Sequence, residues 1–257
     1  MQSELERRPS SRYDGAFEET GTPGVIETPS YQERVLFLGA NGSGKTILAS
    51  RMIEPYPRAV ILDIKYDFPI PWAKDEYAVL TKPPGRGGMG WLFDPWRNHD
   101  RIVYRPGPPA DSGPAITGFL DAMFQRGRRE GKTHPFILYL DEGGWAAYAG
   151  AKMGMSRLAI AGRSLGIGLW ISAQRPRGIP VEVRSEAWRT YVFYLRKSED
   201  REELLSTLDD QAWPGMFAGT AEEYQFWEVR RGPGGRLTYR LMPPMDMPEA
   251  RAEKPRD

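Results

Sequence analysis

Residues 39–46 read Gly39-Ala40-Asn41-Gly42-Ser43-Gly44-Lys45-Thr46, the complete G-x-x-x-x-G-K-[ST] pattern of a phosphate-binding loop. The residue types account for the chemistry. Gly39, Gly42 and Gly44 let the backbone turn tightly and aim N–H groups at phosphate oxygens, with Asn41 and Ser43 completing the same turn. A helix starting at Lys45 adds a partial positive charge behind them. Lys45 is expected to reach the β- and γ-phosphates, and Thr46 to offer its hydroxyl to Mg²⁺. The expected ligands are therefore a nucleoside triphosphate and Mg²⁺.

Two further groups have the right types in the right order. Asp141-Glu142 directly follows the apolar run Phe136-Ile137-Leu138-Tyr139-Leu140. A carboxylate at the end of a strand beside the phosphate-loop strand can hold the Mg²⁺ shell, which assigns Asp141 to the metal. Glu142 is then placed to polarise the attacking water. Gln174 ends the next apolar run, in Ile171-Ser172-Ala173-Gln174-Arg175-Pro176. Its amide can contact both the γ-phosphate and the lytic water, and Pro176 stops the strand.

These groups need elements to carry them. Val35-Leu36-Phe37-Leu38 before the loop reads as a buried strand, and Lys45 to Met52 after it as a helix. Further strands are expected at Ala59–Leu62, Arg101–Tyr104, Phe136–Leu140, Leu169–Ser172 and Thr190–Leu195. Ile116, Phe119, Leu120, Met123 and Phe124 share one face of a helix. A second helix is expected over roughly Trp145–Arg163, and Ser198-Glu199-Asp200 starts a third. Tyr224–Val229 and Leu237–Leu241, joined through Gly232-Pro233-Gly234-Gly235, read as a C-terminal β-hairpin. Alternating strands and helices imply an α/β fold, with a mostly parallel central sheet covered on both faces.

The organisation along the chain is read from composition. Residues 1–30 and 243–257 are polar, charged and rich in proline or glycine, and are expected to be flexible extensions. The core domain is expected to span 31–242. Within it, 82–100 is an insertion of glycine, proline and the aromatics Trp91, Phe93 and Trp96. The chain of 257 residues is long enough for one large α/β domain, and no internal repeat is present.

Composition excludes several chemistries. The sequence contains no cysteine, so disulfides, thiolate metal sites and cysteine nucleophiles are absent. His99 and His134 are the only histidines and cannot build a histidine-rich metal site. The net charge of +1 gives no global signature of nucleic-acid binding, although a local basic surface is compatible with it. With no run of 18 apolar residues and a polar N-terminus, a soluble intracellular protein is expected.

The stretch Gly162-Arg163-Ser164-Leu165-Gly166-Ile167-Gly168-Leu169-Trp170-Ile171-Ser172-Ala173-Gln174-Arg175-Pro176 resembles the GR-x-x-G-I-x-L-x-x-(A/S)-x-Q-R-P segment of the FtsK/HerA ATPases. Asp63-x-Lys65 resembles the D-x-K that many of them carry after the second strand, and the likeness covers about residues 33–195. It implies a RecA-like core of the ASCE type that hydrolyses ATP. Most such proteins form homo-oligomeric, usually hexameric, rings that move double-stranded DNA. Lys45, Thr46, Asp141, Glu142 and Gln174 take the roles given above. Arg163 becomes the first candidate for an arginine finger reaching a neighbour's ATP, with Arg175 and Arg184 as alternatives. The short chain, without a transmembrane region, winged helix or N-terminal barrel, is most like the genome-packaging ATPases of tailless, membrane-containing DNA viruses. That implies a place in the host cytoplasm or at a virion vertex, with a capsid or membrane-associated viral protein as a further partner. Arg126, Arg128, Arg129 and Lys132 are read as a basic loop able to line a DNA pore, with Arg86 and Arg97 as further candidates. A conjugative or secretion ATPase, a slow nucleotide-dependent assembly switch and a small-molecule kinase are the competing readings. Glu142 argues against the switch and Gln174-Arg175-Pro176 against the kinase.

Overall fold

The structure, a computed structural model, describes residues 26–81, 99–107, 112–208 and 224–245. The insertion aromatics Trp91, Phe93 and Trp96, with Arg86 and Arg97, lie outside the described residues.

One nine-stranded sheet organises the chain. In order of sequence its strands are β1 (Val35–Leu38), β2 (Ala59–Leu62), β3 (Ala78–Leu80), β4 (Arg101–Tyr104), β5 (Phe136–Leu140), β6 (Ile167–Ala173), β7 (Arg189–Val192), β8 (Phe226–Arg231) and β9 (Leu237–Met242). Across the sheet they run β3-β4-β2-β5-β6-β1-β7-β8-β9. Strands β1 to β7 pair in parallel, and the β8–β9 hairpin is added antiparallel at one edge. The sheet is mostly parallel, with a hairpin at the chain's end, as the alternating pattern requires. The strand β3 has only three residues, too few for a legible alternation, and sequence reasoning passed over it.

One expectation about order is corrected. The strand ending in Asp141-Glu142 is not beside the phosphate-loop strand. β6, which ends at Gln174, lies between β5 and β1 and pairs with both.

The central strands are apolar on both faces because each face has its own cover. Leu36, Leu38, Leu138, Leu140, Leu169 and Ile171 face a core built with helices α2 (Gly113–Glu130), α4 (Lys152–Ala161), α5 (Val181–Ser185) and α6 (Ser198–Leu208). Val35, Phe37, Ile137, Tyr139, Trp170 and Tyr191 face the other core, against α1 (Lys45–Ile53) and the side chains of Phe68 and Trp72. Trp170 sits at its centre, edge-on to Tyr56 at 5.4 Å.

The helix expected over Trp145–Arg163 is broken into pieces. A short turn α3 (Gly143–Ala146) runs into a π-helical turn over Ala147–Ala151, where Gly150 has φ 102°, before α4 begins. A 3₁₀ turn, Gly162–Leu165, then ends it. Alanine-rich composition favours helix throughout and hides the break, which the left-handed freedom of Gly150 permits.

The basic run is corrected as well. Arg126, Arg128 and Arg129 form the last turns of α2 and not a loop. The apolar face of Ile116, Phe119, Leu120 and Met123 continues three residues on to Arg126. Arg126 is accordingly buried, with its guanidinium 5.4 Å over the Phe136 ring and 3.5 Å from Glu130. Burial pulls it down to about 10, and it cannot line a pore. Arg128, Arg129 and Lys132 are exposed.

The described part of the N-terminal extension is docked. Ile26 packs on the Trp170 core, Tyr56 donates its hydroxyl to the Pro29 carbonyl, and Arg230 pairs with Glu27 at 2.7 Å. At the other end, Met245 is buried, beyond the expected domain boundary at 242.

The turn before β6 explains a glycine of the Gly-Arg segment. Gly166 adopts φ 65°, and a Cβ there would lie 1.8 Å from the Gly131 carbonyl oxygen, where α2 ends. Backbone meets backbone, so nothing can yield. Gly166→Ala is expected to destabilise the chain by at least about 2 kcal/mol, read from the urea unfolding midpoint. An unchanged midpoint would show that the two turns separate freely.

Candidate active site

Parallel strands aim their C-terminal ends at one edge, and the chemistry gathers there. The phosphate loop leaves β1, Asp141 and Glu142 leave β5, and Gln174 leaves β6. Ligand-binding crevices form at such edges because loops from adjacent strands part there.

The loop is fixed by its neighbours. Gly39 N–H donates to the Ala173 carbonyl at 3.2 Å and Ala40 N–H to the Tyr194 carbonyl at 2.8 Å. A Cβ on Gly39 would stand 2.5 Å from the Cβ of Phe193. Gly44 has φ 100°, and a Cβ there would meet Met245 Cε at 2.8 Å and Tyr224 Cδ1 at 3.4 Å. The glycines thus admit side chains from the far end of the chain against the loop. Asn41 and Gly42 are exposed at its tip.

Several features fit a bound triphosphate. Helix α1 has no acidic residue in its first turn and no side-chain cap, so its first N–H groups face an anion without competition. Ser43 Oγ is buried without a hydrogen-bond partner. Lys45 is buried to 5% exposure, with Nζ on the Ala40 carbonyl at 2.8 Å. Burial pulls its ammonium down to about 8, against the opposing charge of Glu142. A cation held in so dry a place gains most from an anionic ligand. Thr46, half-buried, follows it on the helix.

The acids are built differently from one another. Asp141 is 2% exposed. Its Oδ1 accepts Ser172 Oγ at 2.8 Å and Tyr139 Oη at 3.1 Å. Burial raises its carboxyl to about 6, with the Glu142 charge adding and the two hydroxyls opposing. Glu142 has left-handed φ 52°, uncommon for a side chain of its size, and begins α3. The backbone turn lifts its carboxylate off the strand. Gln174 Nε2 lies 3.2 Å and 3.4 Å from its two oxygens, and Lys65 Nζ binds Oε1. A cleft of about 370 Å³ opens beside Glu142 and Gln174, flanked by Arg175 and Arg177.

A metal would meet oxygen ligands only. The Asp63, Asp67 and Asp141 carboxylates have oxygens within 4.8 Å of one another. Asp63 is already committed to Arg105 Nε at 2.8 Å and to the N–H groups of Asp67 and Phe68. Asp67 and Asp141 remain, and such carboxylate oxygens suit a hard cation such as Mg²⁺.

Two site residues escaped the sequence reading. Ser172 holds Asp141 and accepts the Glu142 N–H at 3.2 Å, yet in sequence it is one small residue in an apolar strand. Lys65 was visible in Asp63-x-Lys65, but its partner lies 77 residues away.

Arg163 sits apart from this cluster. It precedes β6, at the opposite edge of the sheet, exposed, with its guanidinium 4.9 Å over the Trp188 ring. The seven residues of β6 separate it from the phosphate loop by about 20 Å. Arg175 pairs with Asp200, Nε to Oδ1 at 3.0 Å. Arg184 is buried against the Ile179 carbonyl, Thr207 and Glu203.

Comparison of the whole chain with solved structures bears on its fold. The genome-packaging NTPase B204 of Sulfolobus turreted icosahedral virus 2, in complex with AMPPCP, superposes with a TM-score of 0.61. The two are 18% identical, over 84% of this chain and 100% of that one. The chain has the fold of a P-loop ATPase. B204 of Sulfolobus turreted icosahedral virus, a DNA-packaging ATPase, matches at 0.57 with 16% identity, over 86% and 100% of the two chains. EssC (ATPases 2 and 3) from Geobacillus thermodenitrificans matches at 0.54 and 14%, over 85% of this chain and 41% of that one. No protein-family model and no curated protein sequence matches the chain. The P-loop ATPase fold and the mostly parallel sheet agree with the sequence reading, and among the described residues no helix is long and apolar enough to cross a membrane.

Proposed function

We propose that the chain hydrolyses ATP to move double-stranded DNA, as the packaging motor of a viral genome. One observation carries the ATPase reading: Lys45, Asp141, Glu142 and Gln174 converge at one edge of the sheet from three adjacent strands. Gly39 to Thr46 hold the triphosphate, and Lys45 faces its β- and γ-phosphates. Thr46 and Asp141 would hold Mg²⁺, which would supply charge neutralisation at the phosphate oxygens. Glu142 orients water in the cleft and accepts its proton, and Gln174 senses the γ-phosphate from the same carboxylate.

The likeness to two viral packaging proteins supports DNA as the cargo. Ring assembly belongs to the same reading: of the two arginines that flank the Glu142–Gln174 cleft, Arg175 pairs with Asp200 and Arg177 lies 3.9 Å from Glu203, so a neighbouring subunit would supply the finger. In a homo-oligomeric ring, such as a hexamer, Arg163 would act on a neighbour's ATP, since about 20 Å separates it from its own site. Exposed Arg128, Arg129 and Lys132 remain as phosphate contacts for DNA. The protein would work in the host cytoplasm or at a virion vertex, against a capsid or membrane-associated viral protein. The likeness to EssC favours, as a second reading, a secretion motor of the same fold.

ATP turnover by the purified protein, with and without double-stranded DNA, separates these. Turnover stimulated severalfold by DNA supports packaging. Turnover indifferent to DNA favours secretion, and absence of turnover in both conditions sinks the motor reading.

A further inference from the structure

We propose that Lys65 is a positioning residue that locks the Glu142 carboxylate in the nucleotide-free chain and releases it when Mg²⁺ and nucleotide bind. The inference rests on the ATPase reading for its consequence, and on the geometry of one loop for its substance.

Residues 63–68 leave the end of β2 and are braced from both sides. Asp63, fully buried, accepts the N–H groups of Asp67 at 3.2 Å and Phe68 at 3.4 Å, and binds Arg105 Nε at 2.8 Å. Tyr66, with left-handed φ 65°, donates its hydroxyl to the Pro106 carbonyl, and the Arg105 guanidinium lies 5.8 Å over its ring. Phe68 packs on Tyr139, two residues before Asp141. Lys65 is therefore delivered from a fixed frame, and its ammonium binds Glu142 Oε1.

Glu142 is held from two sides as a result. Its oxygens accept Lys65 Nζ and Gln174 Nε2 together. A carboxylate so engaged is held in one orientation by two side chains from separate elements. The pair is also exposed to change. Its lysine stands in the field of Asp141 and Asp67, which form one carboxylate group with Asp63. The ammonium would be repelled by a divalent cation held at Asp141, while Asp67 and an incoming γ-phosphate would both offer it another acceptor. Loading the site thus frees the base.

The test is a double-mutant cycle of Lys65→Met and Glu142→Gln, read as urea unfolding, first without nucleotide and then with Mg²⁺ and AMPPCP. Without nucleotide, the two changes are expected to be non-additive by about threefold to tenfold in the unfolding constant. Lys65→Arg is expected to preserve that coupling. With Mg²⁺ and AMPPCP the coupling is expected to vanish, and Lys65→Met to bind the nucleotide about threefold to tenfold more tightly than the parent, since no pair must be broken. Basal ATP turnover of Lys65→Met is expected to rise severalfold. Additivity without nucleotide overturns the lock, as does coupling that persists with Mg²⁺ and AMPPCP, or turnover that falls as it does for Glu142→Gln. Coupling that vanishes on nucleotide binding in a chain that never hydrolyses ATP upholds the lock and overturns the ATPase reading. Failure of Mg²⁺ and AMPPCP to bind overturns both.

Discussion

Glu142→Gln is expected to lower ATP turnover by about 10²–10⁴-fold without weakening nucleotide binding. The amide keeps the length of the side chain and can still meet Gln174, so the loop that begins α3 stays in place. What it loses is the ability to take a proton. None of the phosphate-loop contacts runs through Glu142, which is why affinity is spared. The left-handed backbone at this position matters for interpretation, because glutamine tolerates φ 52° no worse than glutamate. Single-turnover hydrolysis and AMPPCP titration measure the two quantities separately. Turnover within tenfold of the parent would move the base to another residue, and a lost affinity would place Glu142 on the nucleotide itself.

Asp141→Asn is expected to inactivate the enzyme and yet stabilise the chain, by about 1–3 kcal/mol at pH 7.5 without nucleotide or metal. Burial raises the Asp141 carboxyl from 3.8 to about 6. Between those values the folded chain keeps a proton that the unfolded chain releases. Stability therefore falls as pH rises through that window and levels off above about pH 6. Asparagine is neutral throughout, and its carbonyl can accept both Ser172 Oγ and Tyr139 Oη as the carboxylate does. Urea unfolding from pH 4 to 8 in the presence of a chelator reads the effect. A variant less stable than the parent, or a parent equally stable at pH 4 and pH 7, would show that the folded chain bears no cost for this charge. As the proposed metal ligand, Asp141 would trade fold stability for affinity.

Much of this was legible because local sequence carries the signal. Val35–Leu38, Ala59–Leu62, Arg101–Tyr104 and Phe136–Leu140 are strands at the residues expected, since an apolar run between polar turns has no other good home. The phosphate loop is legible because its glycines leave few alternatives. The order of the strands is not, because nothing in β6 reveals that it inserts between β5 and β1. Arg126 misled because charge suggests exposure, whereas its place on the α2 stripe decides its burial. Lys65 and Ser172 gain meaning only from partners brought close by the sheet.

Met245, Tyr224 and Phe193 pack against Gly44, and β7 flanks the strand that bears the phosphate loop. The loop is translated early, but the side chains that wall it in come from the last quarter of the chain. A nascent polypeptide on the ribosome therefore carries a signature for nucleotide long before it can grip one. Competence arrives late and abruptly, once the terminal hairpin has joined the sheet.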